Sequence, residues 1–202
     1  MQACSSRIVN EAIEAHGRVL DRVLFLDRDG VININHGYVH TAEQTDWVPG
    51  IFDLCRTAQS LGYAMIVVTN QAGIGRGLYS EAQFEGYTRW MIDQFAERGI
   101  DILAVYYCPH HPTAGLGRYR KVCDCRKPAP GMLQAAANDY DVALGRSVLV
   151  GDKCSDMAAG SRAGVGVLVL FSSTETCSPG ESGTSLQLSD LNQVREFIAG
   201  LG

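Results

Sequence analysis

The chain has 202 residues, 46% of them hydrophobic, with a formal charge of -5 and a pI near 5.5. That is enough apolar material to bury a full core, which excludes a wholly disordered chain. The acidic balance argues against broad electrostatic binding to nucleic acid or anionic membrane, so an anionic ligand must be held by local positive charge. No apolar run approaches the ~20 residues that span a bilayer, and Met1 to Arg22 lacks the pattern of a secretion signal. A cytosolic location is therefore expected, and the odd count of seven cysteines favours reduced thiols or metal ligands over a disulfide framework.

Residues 1–21 read as an N-terminal extension in which Ile8 to Ile13 is either a helix or merely extended chain; residues 22–202 read as one domain. Arg22 to Leu26 is apolar and β-branched enough for a buried strand. Pro49-Gly50 precedes a 3.6-period face of Ile51, Leu54, Cys55, Ala58 and Leu61, closed by Gly62. Ala64 to Thr69 is the next strand, and Ser80 with Gln83 forms a capping box for a helix that buries Phe84, Met91 and Phe95. A third strand, Ile102 to Cys108, leads into a long loop reaching about Lys127, of a length that is usually functional. Pro130 suits the first turn of a helix through Met132, Leu133, Ala136 and Tyr140, followed by a strand over Ser147 to Gly151. A small-residue helix from about Ser155 to Ala163 and a strand over Val165 to Leu170 complete five strand–helix repeats, which predict a parallel sheet flanked by helices. Ser172 to Ser185 has the composition of a mobile loop, and Ser189 is the expected cap of a last helix with Leu191, Val194 and Ile198 inward.

Four strand ends carry reactive side chains: Asp27 and Asp29, Thr69 and Asn70, Cys108, and Asp152. With right-handed connections and a central first strand, the tips of the first, second and fourth strands face one crevice. An ionised Asp27 can attack an electrophile or bind a hard cation, and Asp27 with Asp152 plus a substrate phosphate suits Mg²⁺. The plainer alternative for Asp152 is a helix cap. Thr69, Asn70 and Lys127 are suited to holding phosphoryl oxygens, and Arg126 to clamping a second anionic group. Cys108-x-His110 and Cys123-x-Cys125 supply three sulfurs and an imidazole, a tetrahedral Zn²⁺ set spanning residues 108–125, with His111 as an alternative nitrogen ligand. The glycines at 73, 75 and 77 weakly evoke a dinucleotide loop but lack its spacing. A zinc-dependent binding module, with structural aspartates, is the alternative outside enzyme chemistry.

Asp27-x-Asp29, Thr69, Lys127 and Gly151-Asp152-x-x-x-Asp156 stand in the order of the four motifs of the haloacid dehalogenase (HAD) superfamily, which the sequence resembles. Asn35-His36-Gly37-Tyr38, Thr69-Asn70-Gln71-Ala72, Tyr107 to Pro112 and Cys123 to Pro128 bring it closer to the heptose bisphosphate phosphatases and the related histidinol phosphatases. This resemblance covers about Val23 to Leu170. It implies a Rossmann-like HAD fold without a separate cap domain, a nucleophilic Asp27, and Asp29 as the acid that protonates the leaving oxygen. Mg²⁺ would be held by the side chains of Asp27 and Asp152 and by the Asp29 carbonyl, with Asp156 behind them, and a structural Zn²⁺ by Cys108, His110, Cys123 and Cys125. Asn35, His36, Gly37, Tyr38, Asn70, Gln71, Ala72 and Arg126 would contact substrate; heptose phosphatases often carry Asp where Asn35 stands. The expected reaction is removal of the C7 phosphate of a heptose 1,7-bisphosphate in the ADP-heptose branch of lipopolysaccharide core synthesis, by a monomer with no nucleic-acid or membrane partner. Histidinol phosphate is the alternative substrate. The unclustered cysteines Cys4, Cys55, Cys154 and Cys177 are expected to be buried or incidental thiols.

Overall fold

The computed structural model describes residues 6–10, 19–177 and 185–201. Its centre is a seven-stranded sheet ordered β1-β4-β3-β2-β5-β6-β7, from β1 (Ser6–Val9), β2 (Val23–Leu26), β3 (Ala64–Asn70), β4 (Ile102–Cys108), β5 (Val148–Gly151), β6 (Val167–Phe171) and β7 (Leu186–Leu188). Strands β2 to β7 are parallel, and β1 alone runs antiparallel, against β4. The five expected repeats form the middle of this order. Both outermost strands are additions: β1 lies in the N-terminal segment, where an extension was expected, and β7 in the stretch after β6.

Because side chains alternate across a strand, β2 supplies both faces of the core. Leu24 and Leu26 pack with Ile51 and Leu54 of α1 (Ile51–Ser60), Phe84 and Phe95 of α3 (Glu81–Ala96) and Val194 of α6 (Leu191–Ala199). Val23 and Phe25 pack with Met132 and Leu133 of α4 (Gly131–Tyr140) and Met157 of α5 (Cys154–Ala163). A single-turn α2 (Ala72–Gly75) follows β3. The capping box of α3 is present, with Ser80 accepting from the Gln83 amide and Gln83 reaching back to the Ser80 N–H.

Three local expectations change. The cap of α6 is Asp190, whose side chain accepts from the Asn192 N–H at 2.8 Å, so the helix starts one residue later than a Ser189 cap would give. Strand β6 spans Val167–Phe171, because Gly164 in a left-handed conformation first ends α5. Cys154 and Cys177 are joined by a disulfide rather than standing as separate thiols. Parallel pairing of β5 with β6 sets the chain after each at one edge of the sheet, and this closes the 23-residue separation between them. Cys55 is a buried thiol, as expected. Cys4, Ile13 and residues 178–184 of the expected mobile loop lie outside the described residues. Among the described residues no helix is long and apolar enough to cross a membrane.

Candidate active site

The carboxyl ends of β2, β3 and β5 open on a cleft of about 350 Å³ lined by Asp27, Asp29, Thr69, Asn70, Gln71 and Lys127, among others. Asp27 continues the ladder of β2, its N–H donating to the Val150 carbonyl at 2.9 Å, so its side chain is delivered by the sheet itself. The chain then folds back tightly: the amides of Ile32 and Asn33 both donate to the Arg28 carbonyl. Gly30 makes this turn with φ of +105°, and a Cβ there would lie 2.6 Å from the Asp152 carboxyl carbon. Glycine therefore serves both the backbone and the close approach of Asp152.

Lys127 is 4% exposed and sits at the centre of the charge pattern. Its ammonium donates to Asp27 Oδ1 at 2.8 Å, to Asp156 Oδ1 at 2.5 Å and to the Val68 carbonyl at 2.8 Å. Burial opposes its charge, but Asp156 and Asp27 outweigh that and hold it above the ordinary lysine range. Asp27, Asp152 and Asp156 offer oxygens that all lie within 4.8 Å of one another. Asp27 and Asp156 share the Lys127 ammonium, whereas Asp152 has only the half-exposed Lys153 ammonium at 3.7 Å, and burial and then Asp27 push its pKa up to about 7. Burial likewise raises Asp156, against the pull of Lys127. Asp152 Oδ1 is buried without a hydrogen-bond partner. An orphaned carboxylate oxygen beside two others fits a hard divalent cation, which would relieve the same repulsion that raises Asp152.

Asp29 is held on both oxygens by donors. Arg28 reaches Oδ1 and Oδ2 through Nη2 at 2.8 Å each, Asn33 Nδ2 reaches Oδ1 at 3.2 Å and Gln71 Nε2 reaches Oδ2 at 3.0 Å. Arg28, between the two aspartates in sequence, is fully buried. Its guanidinium lies over the rings of Tyr87 and Phe84, at 5.1 and 5.5 Å, and Nη2 also donates to the Val39 carbonyl at 2.7 Å. Asn70 spends its side chain on the Lys127 peptide, accepting from its N–H and donating to its carbonyl, both at 3.1 Å. The ammonium is thus positioned from two directions.

Of the expected substrate contacts, Asn35, Gly37, Tyr38, Asn70, Gln71 and Ala72 line the cleft. His36 does not: it turns outward onto Asp46 at 2.8 Å. Arg126 is not part of the lining either, its Nη1 donating to the His110 carbonyl at 3.1 Å. Sequence reasoning passed over Arg28, Tyr79, Lys153 and Ser155, the last three of which line the cleft. Lys153 and Ser155 had a signal, since they lie within the Gly151 to Asp156 motif; Tyr79 had none.

Beside the cleft, Cys108, His110, Cys123 and Cys125 converge. Their sulfurs are 3.4 to 3.5 Å apart, and His110 Nδ1 is 3.7 Å from the sulfurs of Cys108 and Cys125. Ligands at about 2.3 Å for sulfur and 2.0 Å for nitrogen around a tetrahedral ion are separated by about 3.6 Å, so the cluster fits Zn²⁺. His111 is elsewhere, accepting from the Ala114 N–H at 3.0 Å. Hydrogen bonding from Cys125 draws Cys108 down to about 6 against burial, whereas burial and then the Cys108 charge push Cys123 up to about 11. Metal-free, the cluster resists carrying several thiolates at once, which is the condition a cation relieves.

The HAD-hydrolase-like family model matches residues 124–182. The D-glycero-beta-D-manno-heptose-1,7-bisphosphate 7-phosphatase of Salmonella typhi is 49% identical over 147 residues, covering 73% of this chain and 78% of its own length. The D-glycero-alpha-D-manno-heptose-1,7-bisphosphate 7-phosphatase of Burkholderia mallei is 55% identical over 151 residues, 75% of this chain and 80% of its own. The crystal structure of D,D-heptose 1,7-bisphosphate phosphatase from B. bronchiseptica, complexed with magnesium and phosphate, superposes with a TM-score of 0.76 at 28% identity, covering 90% of this chain and 99% of that one.

Proposed function

The chain belongs to the heptose bisphosphate phosphatases of the HAD superfamily and is a phosphoric monoester hydrolase, and on that premise we propose that it removes the C7 phosphate of D-glycero-D-manno-heptose 1,7-bisphosphate with the help of Mg²⁺. The observation that supports this best is the meeting of Asp27, Asp29, Thr69 and Lys127 in one cleft beside an orphaned Asp152 oxygen. An Asp27 oxygen attacks phosphorus. As the new P–O bond forms, the bond to the sugar oxygen breaks, and that oxygen takes the proton carried by Asp29. Asp29 then accepts a proton from the water that opens the aspartyl phosphate and frees inorganic phosphate. Lys127 and the Thr69 hydroxyl face the transferring group, where negative charge collects.

Asp27 and Asp152 side chains, with the Asp29 carbonyl, would hold Mg²⁺; when bound it offsets charge between nucleophile and phosphate. Cys108, His110, Cys123 and Cys125 would hold a structural Zn²⁺, fixing the loop that carries Arg126 and Lys127. Arg126 is then available to an anionic group of the substrate outside the cleft lining. Such a reaction belongs to ADP-heptose supply for lipopolysaccharide core synthesis. Phosphate release with Mg²⁺ is to be compared across both anomers of heptose 1,7-bisphosphate, fructose 1,6-bisphosphate and histidinol phosphate. Preference for a heptose anomer by at least tenfold in kcat/KM is expected; a preference for histidinol phosphate overturns the assignment.

A further inference from the structure

Tyr79 lies in the turn between α2 and α3 and is 5% exposed, with its hydroxyl 2.6 Å from Gln71 Oε1. Gln71 is 2% exposed, and its Nε2 is within 3.0 Å of Asp29 Oδ2 and 2.8 Å of Thr69 Oγ1. A primary amide has two N–H donors and one acceptor end, and its outline is nearly the same when turned over. Which end faces Asp29 therefore depends on the partner at the opposite end. A phenol that donates to Oε1 fixes the choice, and both amide hydrogens are then spent, one on Asp29 and one on Thr69.

We infer that Tyr79 is a positioning residue for the acid step: by holding Gln71 with its N–H groups toward Asp29, it denies the Asp29 proton any acceptor except the departing sugar oxygen. This rests on the reading of Asp29 as the acid. All three side chains bonded to the Asp29 carboxyl, those of Arg28, Asn33 and Gln71, present N–H groups to it. Of the three, only Gln71 can be turned by a change at Tyr79. Were its amide inverted, Oε1 would stand 3.0 Å or so from Asp29 Oδ2 and would capture the proton of the protonated acid. Thr69 gains from the same arrangement. Its oxygen accepts from Gln71, so its single hydrogen is left for a phosphoryl oxygen in the cleft.

The ring that delivers this hydroxyl is itself clamped. His40 stacks on Tyr79 with centroids 4.5 Å apart and planes 13° from parallel. On another side Gly73 leaves room for it: a Cβ at that position would lie 2.7 Å from the Tyr79 oxygen. Burial pushes the phenol up to about 12, so it keeps its proton near neutral pH.

Tyr79→Phe deletes the hydroxyl and keeps the ring, leaving Gln71 Oε1 without this donor in the native orientation. The test compares kcat/KM for heptose 1,7-bisphosphate, whose alkoxide leaving group needs a proton, with that for p-nitrophenyl phosphate, whose phenolate does not. Asp29→Asn serves as the reference. Tyr79→Phe is expected to lose about tenfold on the sugar phosphate, a fraction of the roughly 10²–10⁴ that acid catalysis supplies, and no more than about twofold on the aryl ester. A general loss of fold would move both equally. Gln71→Ala should show the same leaving-group dependence, and the double variant should be little worse than Gln71→Ala alone, since the two side chains act in series. Equal losses on both substrates, or additive losses in the double variant, overturn the role of Tyr79 while leaving Asp29 in place. If Asp29→Asn itself fails to discriminate between the substrates, the acid assignment falls and the Tyr79 inference with it.

Discussion

Replacing Lys127 with methionine keeps most of the side chain's length and removes its charge, which isolates the electrostatic part of the site. In the folded chain the ammonium is 3% exposed and lies 2.8 Å from Asp27 and 2.5 Å from Asp156. At an effective dielectric of about 20, each of these contacts is worth about 6 kcal/mol before desolvation is subtracted. What is lost in practice when one member of a buried pair is removed is about 3–5 kcal/mol, because the partners stay behind uncompensated. Lys127→Met leaves three carboxylates within 4.8 Å of one another with only the half-exposed Lys153 ammonium near them, 3.7 Å from Asp152 Oδ2.

The assay is urea unfolding at pH 7.5 in EDTA, repeated with millimolar Mg²⁺ and again at pH 5.5. A loss of about 3–5 kcal/mol is expected in EDTA, with part of it recovered by Mg²⁺, which binds the folded cluster and not the unfolded chain. The direction with pH follows from the groups involved. Lys127 is raised above its ordinary value, so its own contribution is fully present below about pH 10 and flat across the range tested. The carboxylates left behind take up protons as the pH falls, so the penalty shrinks toward pH 5.5. A loss below about 1 kcal/mol in EDTA, or one indifferent to both Mg²⁺ and pH, would refute the picture of a shared and undercompensated charge cluster.

In EDTA, Asp152→Asn should melt above the wild type at pH 8 and lose most of that advantage by pH 5. The native Asp152 pKa is raised to about 7, so the wild type gains stability as the pH falls from 7 toward 4; saturating Mg²⁺ should reverse the order of the two melting temperatures, and a pH-independent difference would contradict this. The Mg²⁺ concentration giving half-maximal activity should rise below pH 7 by up to about tenfold per unit, the slope of one competing proton. Cys123→Ser should lose one zinc per chain by elemental analysis and raise KM more than it lowers kcat, since Arg126 is tethered to the His110 carbonyl; retained zinc would reject the four-ligand site. Cys177→Ser should cost about 3 kcal/mol relative to the oxidised wild type, the loop-entropy value for a separation of 23 residues. Cys154→Ser should match it, and a cost below about 1 kcal/mol would mean that the crosslink does not constrain the unfolded chain.

The parts of this site that could be read from sequence are those written into consecutive residues at strand ends. Asp27, Thr69 and Asp152 follow apolar runs, and the right-handed α/β topology brings the ends of those runs to one edge. The Cys108/His110 and Cys123/Cys125 pairs were legible for a similar reason, since each pair is local and only the loop between them had to close. What stayed hidden depends on contacts with no local signature. Strand β1 has four residues, including Ser6 and Arg7, and its partner β4 lies about a hundred positions away.

Arg28 sits between two aspartates like a spacer, yet its guanidinium is enclosed by Phe84 and Tyr87, whose positions on α3 look like ordinary core. Tyr79 likewise gave no sign, because its partner Gln71 is reached only after α2 has turned the chain back by a single helical turn. Arg28 and Tyr79 share one property: each bonds to a group of the candidate site, Asp29 or Gln71, and each is held in place by rings distant in sequence, Phe84 and Tyr87 for Arg28 and His40 for Tyr79. Motifs therefore locate the groups that carry out the chemistry, whereas the orientation of those groups is set by side chains that only the folded chain brings together. On the proposed mechanism, removal of Asp27 should therefore stop turnover outright, while removal of the Tyr79 hydroxyl should alter only the response to the leaving group.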